Sequence, residues 1–250
     1  MTSGLAPVTD LAPATWVQAA MPDFGGPLCG SILPGGFEAY ARILHPAKTR
    51  DGWIPWRDVA AWSGAPLEPL SQWEEICRPD LPSHERPFHV EPWEGSLGPA
   101  RRAVLTALLA PATTTPDDVW FCFWYGYGAF HAGSISAVFA STDPNASAPA
   151  PPTPAIDADT LPTLRLPHRE YYVFRGPIDR VDEAGVDISW STFEHDDGPN
   201  LWWPTDRAWF VASEIDLVST YVGGNAELVR TIVASPDLEA FEVAADGPYA

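Results

Sequence analysis

The chain has 250 residues, 46% of them hydrophobic and 12% aromatic, which suits one large domain or two small ones and argues against disorder. Asp and Glu number 33 against 14 Lys and Arg, and the net charge of −19 argues against direct binding to DNA, RNA or anionic lipid. The same excess keeps an aromatic-rich protein soluble, and it suits a basic protein partner.

Lys48 is the sole lysine beside thirteen arginines, a bias that with abundant Ala, Pro and Gly points to a GC-rich bacterial genome. Cys29, Cys77 and Cys122 are odd in number, widely spaced and without a CxxC pair, so they read as reduced, buried thiols of a cytoplasmic protein rather than disulfides or zinc ligands. The first residues lack the basic start and apolar run of a secretory signal, and no stretch of 18 apolar residues occurs anywhere.

Residues 1–13 read as a loose end, followed by a short helix from Ala14 to Ala20 and a Gly/Pro-punctuated loop. Phe37 to His45 alternates as a strand, with Phe37, Ala39, Ala41 and Ile43 on one face and Glu38, Tyr40, Arg42 and Leu44 on the other. Pro55 opens a helix to about Trp62, a second short helix covers Ser71 to Cys77, and residues 78–95 form a loop. The clearest helix starts at Ser96 or Gly98 and runs to Leu109, with Val104, Leu105, Leu108 and Leu109 on its apolar stripe.

Val119 to Tyr125 is apolar on both faces, the pattern of a central strand covered on both sides. Residues 141–163 are rich in Pro, Ala and Ser and read as a flexible insertion within a single α+β domain, so strands on either side of it belong to one sheet. Glu170 to Arg175 and Ala208 to Asp216 are further strands, with about a helical turn or two from Pro177 to Glu183 between them. Gly223-Gly224 makes a turn, and Asn225 caps a helix reaching Ala234 with Leu228, Val229, Ile232 and Val233 on its stripe. Four or more strands separated by helices and long loops predict an α+β fold with a mainly antiparallel sheet and helices packed on it.

Candidate chemistry centres on residues 199–224. On a strand over 208–216, Glu214 and Asp216 share a face, roughly 6.5–7 Å apart, a spacing suited to paired acid and base work. The structural alternative is that both answer arginines of neighbouring strands, with Arg42, Arg169, Arg175 and Arg207 available. Arg165, His168, Arg169 and Arg175 form a second concentration, able either to hold an anion or to pair internally with carboxylates. Trp202 and Trp203, beside Asp206 and Arg207, are candidates for an aromatic binding surface, with core packing as the alternative.

The turn at Tyr221–Asn225 lacks nucleotide-loop spacing. His45, His84, His89, His131 and His195 form no ligand pattern, and no GxSxG occurs, so neither cofactor nor metal is expected.

The segments 33–47 and 199–224, together with 119–128 and 166–176, resemble a family of bacterial proteins from GC-rich genomes that carries no assigned activity. In acidic α+β character, and in the Trp203-Pro-Thr-Asp-Arg-Ala-Trp209 stretch, the chain is also similar to SUKH-type immunity proteins, a resemblance that implies binding to a toxin. The leading expectation is a non-enzymatic binding or regulatory protein of immunity type. The alternatives are a hydrolase using Glu214 or Asp216 with His168 or Arg169, and an architectural subunit.

Overall fold

A computed structural model describes residues 5–127, 130, 160–182 and 198–248. Its centre is a nine-stranded antiparallel sheet in the order β1-β7-β5-β8-β9-β10-β2-β11, with β6 also pairing β7. The strands are β1 (Ala6–Pro7), β2 (Ala39–Leu44), β5 (Val119–Trp124), β6 (Thr163–Leu166), β7 (Arg169–Gly176), β8 (Leu201–Pro204), β9 (Phe210–Ala212), β10 (Ser219–Gly224) and β11 (Ala240–Val243). A separate two-stranded ribbon joins β3 (Ala47–Lys48) to β4 (Trp53–Ile54). The helices are α1 (Trp16–Ala20), α2 (Trp56–Ser63), α3 (Trp73–Ile76), α4 (Pro99–Leu109) and α5 (Ala226–Val233). The α+β class with a mainly antiparallel sheet is therefore as expected, with more strands than the pattern announced.

Both faces of the sheet are dry. On one, Ala41, Ile43, Phe121, Phe174, Trp202, Val211 and Val222 pack under α4 and α5 through Leu105, Leu109, Leu228, Val229 and Ile232. On the other, Tyr40, Trp120, Tyr171, Trp203, Phe210 and Tyr221 lie under the N-terminal segment through Val17, Met21, Phe24, Ile32 and Leu33. A smaller core joins Leu44, at the end of β2, and Ala47, in β3, to Trp56, Val59, Trp73, Ile76 and Phe88. Burial of both faces explains the unbroken apolar run of β5, which lies between β7 and β8.

Strands before and after residues 131–159 interleave: β5 pairs β7 and β8, and β2 pairs β10 and β11. The expected insertion at 141–163 falls outside the described residues up to 159, and its last residue, Thr163, already opens β6.

Several boundaries differ from expectation. The strand expected over 208–216 is only Phe210–Ala212, because Glu214 accepts from the Leu217 amide through its backbone carbonyl and turns the chain. Gly223 and Gly224 do not turn; they end β10. A Cβ on Gly223 would lie 2.5 Å from the Phe37 ring, and one on Gly224 2.8 Å from Leu228, so glycine here permits close packing inside a strand. Helix α5 begins as expected at Asn225, whose Oδ1 accepts from the Leu228 amide at 2.8 Å, but Val233 is exposed rather than on the buried stripe. Arg102, on the inward side of α4, is buried and pairs with Asp182. Among the described residues no helix is long and apolar enough to cross a membrane.

Candidate functional site

Strand β7 begins at Arg169, directly after the tight β6–β7 turn in which His168 adopts φ 64°. This places the Arg169 guanidinium against the loop that follows β9. Its Nε donates to Glu214 Oε1 at 2.7 Å and its Nη2 to Asp216 Oδ2 at 2.6 Å. Glu214 is buried and Asp216 is exposed. Burial pushes the Glu214 carboxyl above its ordinary range while Arg169 pulls it back. The two carboxylates thus converge on one cation and not on an open pocket, and His168 points out from an exposed turn.

The other candidates are engaged as well. Arg165 pairs with Glu170 at 3.3 Å, and Arg175 makes a two-pronged pair with Asp118 while lying over the Trp120 ring at 4.8 Å. Asp206 accepts from Thr113 Oγ1 and from the Thr114 amide and hydroxyl, each at 2.7 Å. Burial would raise that carboxyl, but the Thr114 and Thr113 donors outweigh it and hold it low. Arg207 stacks over Trp16 at 4.5 Å. Trp202 and Trp203 are not an exposed binding surface: they are 2% and 1% exposed, because successive residues of β8 face opposite sides of a sheet covered on both. His131 and His195 lie outside the described residues.

A cleft that the sequence did not announce lies just beyond the C-terminal end of β2. His45, just past β2, is 1% exposed. Its Nδ1 lies 2.6 Å from the Trp93 carbonyl and its Nε2 2.8 Å from Thr220 Oγ1, which in turn lies 2.7 Å from Ser213 Oγ. The Trp93 carbonyl only accepts, so Nδ1 carries the proton and Nε2 accepts from Thr220. Burial lowers the His45 pKa to about 4, outweighing the Trp93 hydrogen bond, and Arg42 and Arg101 push it the same way. The imidazole is neutral at neutral pH.

Above His45 opens a cavity of about 110 Å³, walled by Pro46, Trp53, Trp93, Leu97, Pro99 and Arg101 among others. Trp53 and Trp93 meet edge to face with centroids 4.8 Å apart, and the guanidinium of Arg101 lies 5.7 Å from the Trp53 ring. Arg101 is half-buried, and no hydrogen bond or ion pair joins it to a carboxylate among the described residues. The acidic group acting on it is Glu239, whose two oxygens accept from the amides of Trp56 and Arg57. Behind His45, Arg42 is fully buried; it donates to Ser219 Oγ and to the carbonyls of Pro69 and Ser71, and its Nη2 has no hydrogen-bond partner among the described residues.

Thr220 and Ser213 resemble a hydroxyl–imidazole relay in connectivity, yet they are 1% and 4% exposed, so a substrate carbonyl has no approach to either oxygen. Their hydrogen bonds hold β9, β10 and β2 in register. No set of three or more His, Cys, Asp or Glu suited to a metal ion occurs among the described residues. The cleft draws on stretches at 45, 53, 93–98 and 101, a spacing that matches no motif; the one available signal was an aromatic pair within reach of the Arg101-Arg102 dipeptide. Comparison with protein-family models, curated proteins and solved structures returns no match to the chain.

Proposed function

We propose that the protein is a non-enzymatic binding or regulatory protein that uses its acidic exterior to hold a basic protein partner, in the manner of an immunity protein. The observation that supports this most is the closure of Glu214 and Asp216 on Arg169, which leaves neither carboxylate poised as an acid or base over a cavity. The hydrolase reading built on those residues and His168 loses its geometric support with that closure. The partner-facing surface we favour is the α2–α3 region. Trp62 and Leu70 are each 39% exposed there, in a stretch where Asp58, Glu68, Glu74 and Glu75 are exposed too. Apolar anchors among carboxylates suit a cationic partner, the anchors contributing affinity and the charges steering and orientation. Three buried cysteines without disulfides fit a reducing cytoplasm.

The test is capture of partners from extract of the source organism, followed by reconstitution with the purified partner. A complex that weakens at least about tenfold between 50 and 500 mM salt, and weakens again with Trp62→Ala or Glu74→Lys, is expected. Recovery of no partner, or of one indifferent to both salt and these substitutions, overturns the reading.

A further inference from the structure

In a chain with 33 carboxylates and 14 Lys and Arg, a half-buried arginine without a carboxylate partner is unexpected. Arg169, Arg175, Arg102 and Arg165 each meet an Asp or Glu, whereas Arg101, set at the wall of a cavity, meets none among the described residues. Burial lowers the Arg101 pKa against the pull of Glu239, so the guanidinium has given up part of its hydration without a hydrogen-bonded carboxylate among the described residues.

The rest of the cavity sets what can supply that charge. Trp53 and Trp93 offer an aromatic corner, and Pro46, Leu97 and Pro99 offer apolar walls. The floor is His45, whose two nitrogens are already engaged with Trp93 and Thr220, so it contributes a flat, uncharged surface. Arg42 and Arg101 both act on that floor so as to disfavour its protonation. A volume of about 110 Å³ is well below the few hundred Å³ of a nucleotide or drug-sized site and smaller than the roughly 150 Å³ cavity that takes up benzene, so it limits an occupant to one small ring with its polar group toward the mouth.

We propose that this cleft binds a small monocarboxylate with a body of one planar ring, the carboxylate against Arg101 and the ring in the Trp53–Trp93 corner. A guanidinium matches a carboxylate with two parallel hydrogen bonds, and a planar ring packs favourably edge to face or offset-stacked against an indole. The ligand-binding role stands apart from the partner reading, since nothing in it draws on the α2–α3 surface.

Isothermal titration with benzoate, benzyl alcohol and inorganic phosphate separates ring from charge. The expected result is saturable benzoate binding with a dissociation constant below about 1 mM, and at least tenfold weaker binding of benzyl alcohol and of phosphate. Arg101→Gln should weaken benzoate at least about tenfold with an unchanged melting temperature, while Arg230→Gln, an exposed position on α5, leaves it as it is. Absence of benzoate saturation, benzyl alcohol or phosphate binding as tightly as benzoate, or an Arg101→Gln protein that binds benzoate like the parent would each overturn the proposal. The comparison of the three probes on the unaltered protein holds even if Arg101→Gln fails to fold.

Discussion

Arg169, at the start of β7, and Arg101, in the first turn of α4, are both half-buried arginines, and they differ in what faces them. Arg169 is clamped by a buried and an exposed carboxylate, and its guanidinium ties β7 to the loop after β9. Arg101 faces the Trp53 indole and a cavity. The difference teaches that a cation held by fixed partners, carboxylates for Arg169 and a hydroxyl with two carbonyls for Arg42, serves architecture, whereas one set beside a cavity is open to a ligand.

Breaking the clamped end should have the largest effect. Arg169→Gln leaves Glu214 buried without its counter-charge, and urea unfolding should show a loss of about 3 kcal/mol; the double variant with Glu214→Gln should recover most of it, because removing both charges removes the desolvation problem. A double variant no better than the single one would mean that Arg169 acts through packing.

The His45 floor gives the next effect. Its pKa of about 4 lies below the ordinary 6.5, so between these values the unfolded chain binds a proton that the folded one refuses. The His45 contribution is therefore complete above about pH 6.5 and is lost as pH falls toward 4, amounting to about 3 kcal/mol. Glu214 and Glu239, raised by burial, act in the opposite sense in the acid part of that window, so the slope is best read between pH 6.5 and 5.5. Imidazole resonances followed by NMR should show His45 neutral throughout that interval; a midpoint near 6.5 would remove the argument.

The smallest effect sharpens the contrast. Arg101→Gln should change stability by no more than about 0.5 kcal/mol in the same urea experiment, since no carboxylate among the described residues is hydrogen-bonded to it. A loss as large as that of Arg169→Gln would place Arg101 among the structural cations.

Sequence pattern revealed the elements that have a period or a cap. The continuous run of β5, the stripe of α4 and the Asn225 cap of α5 all fall where local chemistry puts them. It could not reveal β8 or β10. Trp202 and Trp203 alternate between two faces that are both dry, which erases the polar half of the usual alternation, and Gly223-Gly224 carries the composition of a turn while serving close packing. Two-residue strands such as β1, β3 and β4 have no period at all. At the candidate site, the pairing of Glu214 with an arginine was foreseeable from charge, but the choice of Arg169, 45 residues away, depends on strand order. The cleft was invisible for the same reason: its walls meet only through the fold.

The interleaving of strands has a consequence for how the chain can be divided. Residues up to 130 supply β1, β2 and β5, and residues from 160 onward supply their sheet neighbours, so every one of these three strands finds its partner in the other portion. Two polypeptides produced separately, one from each side of residues 131–159, would each carry bare strand edges that fit only the other. A protease cut in that interval would accordingly leave a nicked protein that stays together, parting only when the sheet itself is unfolded.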